Sequence, residues 1–119
     1  MTMQADLVAL LKARCPRTFT DVADVNTPRP YVTFQLIGGR ALQWLDNTAA
    51  DKRHTMVQID VWSDSRADGL QLIRQIEADL RAATVFRARP EAEPVCTVVP
   101  DITPTRYGAS QDFSIYSAR

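Results

Sequence analysis

Val57, Ile59 and Val61 alternate with Gln58, Asp60 and Trp62, and a few residues after Ser63 the apolar spacing changes from every second position to every third or fourth. A period of two puts successive side chains on opposite faces of a strand. A period near 3.6 gathers them on one side of a helix. A chain that changes period this abruptly runs a half-buried strand into an amphipathic helix that packs back on a sheet. A second alternating run precedes the first. Within residues 31–37, Val32, Phe34 and Leu36 point one way and Tyr31, Thr33, Gln35 and Ile37 the other. Gly38-Gly39 interrupts the pattern, as glycine does at a bulge or bend, and residues 41–45 continue it. The polar residues 46–53 connect the two runs. The pair is therefore expected to form a long β-hairpin whose loop is long enough to be functional or mobile.

In the helix that follows, over residues 67–80, the buried stripe is Leu70, Ile73, Ile76, Leu80 and Ala83, joined by Leu72. Ser63 or Ser65 caps it, and Asp64 and Asp68 lie near its N-terminus, where negative charge is favoured. An earlier helix over residues 3–14 starts at Thr2, carries Leu7, Leu10, Leu11 and Arg14 at helical spacing, and ends at Cys15-Pro16. Phe19, Val22 and Val25 belong to an edge strand or an extended connection. Residues 85–94 read as an exposed connection, 95–99 as a short strand and 100–108 as a turn-rich loop. A last strand over 111–117 turns Phe113 and Ile115 inward. The order predicts one α+β domain over residues 1–119: two main helices on a mainly antiparallel sheet with a long hairpin.

The 119 residues suffice for one domain with a real core. Fourteen basic and 14 acidic side chains cancel, which argues against a protein built to grip a nucleic-acid backbone. Twelve of those 14 basic residues are Arg, a composition that suits interfaces and equally a GC-rich genome. Cys15 and Cys96 stand far apart and in no metal or redox spacing. This fits free thiols in a reducing compartment or one long-range disulfide. No segment approaches the ~20 apolar residues of a membrane span, and the N-terminus does not read as a secretory signal.

Catalytic constellations are not visible. His54 is the only histidine and reads as a solvated residue at a strand start. A hydrolase would need it beside a nucleophile and an orienting carboxylate. Gly38-Gly39 lies in strand-like sequence rather than ahead of a helix, so it is no phosphate cradle. One histidine and two scattered cysteines make no zinc site. Asp60, Asp64 and Asp68 invite thoughts of magnesium, but acids gather at helix N-termini for structural reasons. No cofactor and no metal is expected. Trp44 and Trp62 both face away from the main apolar side of their strands, toward another element of the fold or toward a partner.

Taken in order, Pro30-Tyr31-Val32-Thr33-Phe34, Val57-Gln58-Ile59-Asp60-Val61-Trp62-Ser63, the helix over 67–80 and Asp112-Phe113-Ser114-Ile115 resemble the tail completion proteins of long-tailed phages and prophages, also called tail terminator or head–tail joining proteins. The likeness spans about residues 3–117, and its weight lies in the order and spacing of motifs that are each degenerate. The resemblance implies a structural subunit with no catalytic role. It implies a ring, typically a hexamer, at the head-proximal end of the tail, which stops tube growth and joins tail to head. The implied partners are further copies of the chain, the tail tube protein and the head connector or head completion protein. DNA is transiting cargo only, and no membrane is involved. The implied location is the host cytoplasm during assembly and then the virion tail. An overall neutral charge is compatible with a channel through which DNA slides.

Arg40, Trp44 and Leu45 lie near the hairpin tip, and Asp46, Lys52 and Arg53 in its loop. These six residues are the candidate surface for subunit or tail-tube contacts. Two rival readings differ in class. One is a small ferredoxin-like binding or regulatory module that takes nucleic acid on a face built from Arg40, Trp44, Arg53 and Trp62. The other is a small enzyme subunit with His54 or a carboxylate pair in a pocket.

Overall fold

The computed structural model describes residues 2–24, 26–45, 51–100 and 104–118. Thr2 opens the first helix, α1 (Met3–Arg14), its Oγ1 accepting from the Ala5 N–H at 3.1 Å. This satisfies one of the amides that have no partner within the first turn. Cys15, extended before Pro16, ends the helix. Of the two candidate caps for the second helix, α2 (Arg66–Ala82), Ser65 is the one used, accepting from the Asp68 N–H at 3.1 Å.

Six strands follow the order β1 (Thr18–Thr20), β2 (Tyr31–Leu36), β3 (Lys52–Ser63), β4 (Arg87–Pro90), β5 (Val95–Val99) and β6 (Arg106–Ala118). They form one sheet in the order β1-β2-β3-β6-β4, with β5 also on β6. Only β1 and β2 run parallel. The spine is the β3–β6 ladder, which pairs Lys52 with Ala118 at one end and Ser63 with Tyr107 at the other. At ~3.4 Å per residue it runs about 40 Å, and the molecule is elongated to match, 55 × 24 × 24 Å. The side of β6 away from β3 is shared. Strand β5 pairs with Arg106 to Ser110, and β4 pairs with Phe113 to Tyr116.

Both helices pack on one face of the sheet. Val32, Phe34, Val57, Ile59, Val61, Phe113 and Ile115 meet Leu7 and Leu11 of α1 and Ile73, Ile76 and Leu80 of α2, each at most 2% exposed. The α2 stripe is therefore the predicted one at its centre, while Leu70, Leu72 and Ala83 pack only partly. Arg14 braces the helices against each other through a bidentate pair with Asp79, both bonds 2.8 Å.

Four expectations change. Residues 85–94 are not simply an exposed connection: Phe86 and Ala88 are buried and β4 extends the sheet, because the two apolar positions alternate with Arg87 and Arg89. The last strand starts at Arg106, not Gln111, which shortens the predicted 100–108 loop; residues 101–103 lie outside the described residues. The long hairpin does not appear as one extended ladder. Regular pairing ends at Leu36, beyond which the Gly38 carbonyl still accepts from the Met56 N–H at 2.8 Å. Gly38 and Gly39 have φ of 110° and 143°, a region that favours glycine. A Cβ on Gly39 would collide with the His54 carbonyl and lie 3.0 Å from the Thr55 Cα. Lys52 and Arg53, expected in the loop, are the first residues of β3.

Candidate interaction surface

Residues that alternate with the core set line the opposite face of the sheet. Cross-strand rows there join Tyr31, Trp62 and Gly108; Thr33, Asp60 and Ser110; and Gln35, Gln58 and Asp112. The row through Gln58 is tied by amide bonds: Gln35 Nε2 donates to Gln58 Oε1 at 2.9 Å, and Gln58 Nε2 donates to Ser110 Oγ at 2.8 Å. Such a face is polar, and its Gln58 row is bonded across three strands.

Trp62 meets its own fold. The Arg106 guanidinium lies 4.4 Å from its ring centre, and Arg106 Nη1 donates to Tyr31 Oη at 2.9 Å. A glycine opposite Trp62 is a steric requirement, since a Cβ on Gly108 would come within 2.6 Å of the indole. Arg29 holds the neighbouring segment through the carbonyls of Thr105 at 3.0 Å and Pro104 at 3.1 Å, and pairs with Asp64 at 3.4 Å. Asp64 thus has Arg29 as its partner. Among the described residues no three His, Cys, Asp or Glu side chains are grouped to hold an ion.

His54 is not the solvated residue its position suggests. Its Nδ1 accepts from the Arg40 backbone N–H at 2.9 Å, its Nε2 bonds Ser114 Oγ, and its ring stacks on Tyr116 at 4.6 Å. With an amide donating to Nδ1, the ring proton sits on Nε2 and is donated to the serine. A catalytic base needs the reverse: a lone pair facing the hydroxyl and a carboxylate on the far nitrogen. Ser114 is also only 1% exposed. The pair holds the chain in place rather than activating a nucleophile.

Beyond Gly39, residues 40–45 form an arm whose base is pinned on His54. Arg40, Trp44 and Leu45 are exposed, Trp44 by 56% and Leu45 wholly. Asp46 lies outside the described residues. Lys52 lines a cleft with Arg81, Arg87 and Tyr116, whereas Arg53 lies beside Met3, Leu36 and Thr55. Adjacent strand residues face opposite ways, so Lys52 and Arg53 do not share a patch. Arg40, Trp44 and Leu45 are each exposed on the arm, and the two strand cations are apart. The nucleic-acid face built from Arg40, Trp44, Arg53 and Trp62 does not assemble either. Trp62 is eight residues along β3 from His54, roughly 27 Å, and Arg53 points to the other side of the sheet.

The sequence reading missed one region, the gap between β4 and β5. Here β6 is crossed by the connection over residues 91–94. The Glu91 N–H donates to the Asp112 carbonyl at 2.9 Å, and Gln111 Nε2 donates to the Ala92 carbonyl at 2.8 Å. A groove of about 510 Å³ opens beside it, lined in part by Asp60, Glu93 and Asp112. The only hint in the sequence was a run of acids and prolines.

The family model described as Tail completion protein gp17 matches residues 2–104. None of the curated proteins matches the chain. One solved structure aligns with 96% of this chain and 96% of its own at 14% identity, with a TM-score of 0.41.

Proposed function

Since the chain belongs to the tail completion protein gp17 family and is thereby a structural component of a phage tail, we propose that it forms a ring at the head-proximal end of the tail. The ring, a hexamer, ends tube growth and presents a surface to the head connector. The family match over residues 2–104 carries this reading. The form of the surface supports it: a rigid sheet, a polar face and an arm that exposes a tryptophan and a leucine. Large aromatic and arginine side chains are the types enriched where partners meet. The arm residues Arg40, Trp44 and Leu45 make the contact, and Asp46, Lys52 and Arg53 flank it. The partners are further copies of the chain, the tail tube protein and the head connector or head completion protein, with DNA passing through the centre. Subunits await the tube in the host cytoplasm and end in the virion. No helix among the described residues is long and apolar enough to cross a membrane.

The test is complementation of a phage that lacks the gene. Without the protein, tails of uncontrolled length or tails without heads are expected under the electron microscope, and the wild-type gene restores joined particles. Normal, joined tails in its absence would sink the reading.

A further inference from the structure

We propose that the groove between β4 and β5 receives the arm of a second copy of this chain, so that copies join head to tail. The proposal rests on the ring reading and names the surface that the arm meets. The groove has the chemistry of a receptor for a cation followed by an apolar segment. Asp60, Glu93 and Asp112 line it, no Lys or Arg does, and none of the three forms an ion pair among the described residues. Gln111 lies beside the groove, but its side chain turns to the helix side, where its Nε2 donates to Glu77 and to the Ala92 carbonyl.

The rim of the groove points the same way. A sheet edge left open is a template for another strand, and proteins block such edges with charge, proline or brevity. Strand β4 carries Arg87, Arg89 and Pro90, and β1 has three residues. Strand β5 reads Val-Cys-Thr-Val-Val, has no charge, and exposes Val95 by 63% and Val98 by 46%. Of the three outer strands it alone is unguarded.

The arm supplies the complement. Arg40 brings a guanidinium that has no ion pair among the described residues, Trp44 an indole N–H and a large apolar ring, and Leu45 an exposed aliphatic side chain. The chain's own arm does not fill its own groove: no residue of 40–45 lines it. Donor and receptor at different places on one neutral chain allow a heterologous contact, which makes a ring where its rotation closes.

Two full-length variants test this. Arg40→Ala/Trp44→Ala removes the arm's chemistry and keeps the groove; Glu93→Lys/Asp112→Lys does the opposite. Sedimentation velocity of wild-type protein is expected to show assembly with rising concentration. Each variant alone should need at least about tenfold more protein to associate. An equimolar mixture should give a species of two subunits and nothing larger, because one good arm and one good groove remain. If Asp112→Lys disturbs β6, Glu93→Lys alone, on the exposed connection, serves as the groove variant. A mixture that stays monomeric while wild type assembles overturns the proposal and leaves the ring reading standing. Wild type that stays monomeric at every concentration and on isolated tail tubes overturns both.

Discussion

The Arg40 backbone N–H donates to His54 Nδ1 at 2.9 Å, so a main-chain amide on the arm sets the proton position on the only imidazole of the chain. The bond couples the arm to the central strand. His54→Ala removes this acceptor and the stacking partner of Tyr116 together. Amide exchange at residues 39–41 is expected to accelerate, with a loss of global stability of about 1 kcal/mol. Exchange measured by mass spectrometry reads this directly. Unchanged protection would mean that the arm is held by something else.

Glu77 is held below the usual carboxylate range, first by the hydrogen bond from Gln111 Nε2 and then by Arg81, with burial opposing both. A carboxylate whose pKa is lower folded than unfolded stabilises the fold fully above its unfolded value, near about 4.3. That contribution fades as pH falls through the folded value. Glu77→Gln is therefore expected to flatten the acid limb of a stability-against-pH curve. Urea melts between neutral pH and about pH 3 measure the slope. Identical slopes in the two proteins would remove Glu77 from the acid response.

Gly108 faces Trp62 across the β3–β6 ladder without room for a Cβ. Gly108→Ala is expected to push the indole from its place under Arg106 and to cost about 1–3 kcal/mol, as overpacking does. Tryptophan fluorescence and a thermal melt report both effects. An unshifted spectrum with full stability would show that the strand yields instead.

Core and arm should respond in opposite ways. Ile59→Asp or Ile76→Asp places an unpaired carboxylate at a fully buried position and is expected to unfold the domain, a penalty of several kcal/mol. Trp44→Ala should leave the isolated subunit within about 0.5 kcal/mol of wild type, yet weaken assembly by about 2 kcal/mol if the indole anchors the contact. A melted Trp44→Ala subunit would assign the residue to the core instead.

Local chemistry was legible in the sequence wherever one period dominated. Thr2, the Ile73-Ile76-Leu80 stripe and the Val57-Ile59-Val61 face are decided by nearest-neighbour rules. Strand β4 was not legible, because two apolar residues between arginines and prolines are too few to show a period. It is a strand only because β6 offers an unpaired edge. The same holds for residues 106–110, whose pairing with β5 no local pattern announces. Arg40, Trp44 and Leu45 could be marked as surface from their place beyond two glycines. The groove they are proposed to meet could not, since Asp60, Glu93 and Asp112 converge only after β3 and β6 pair.

The long β3–β6 ladder also bears on how the subunit carries load. Its hydrogen bonds lie across the strands, perpendicular to the long axis of the molecule. A pull along that axis strains many bonds side by side, as shear, while a pull across it would open them one after another like a zipper. In the proposed ring, with DNA passing through its centre, the load to be resisted would run along the tail axis. A subunit set with β3 and β6 parallel to the tail axis would resist tearing, and one set crosswise would be the ring's weakest link.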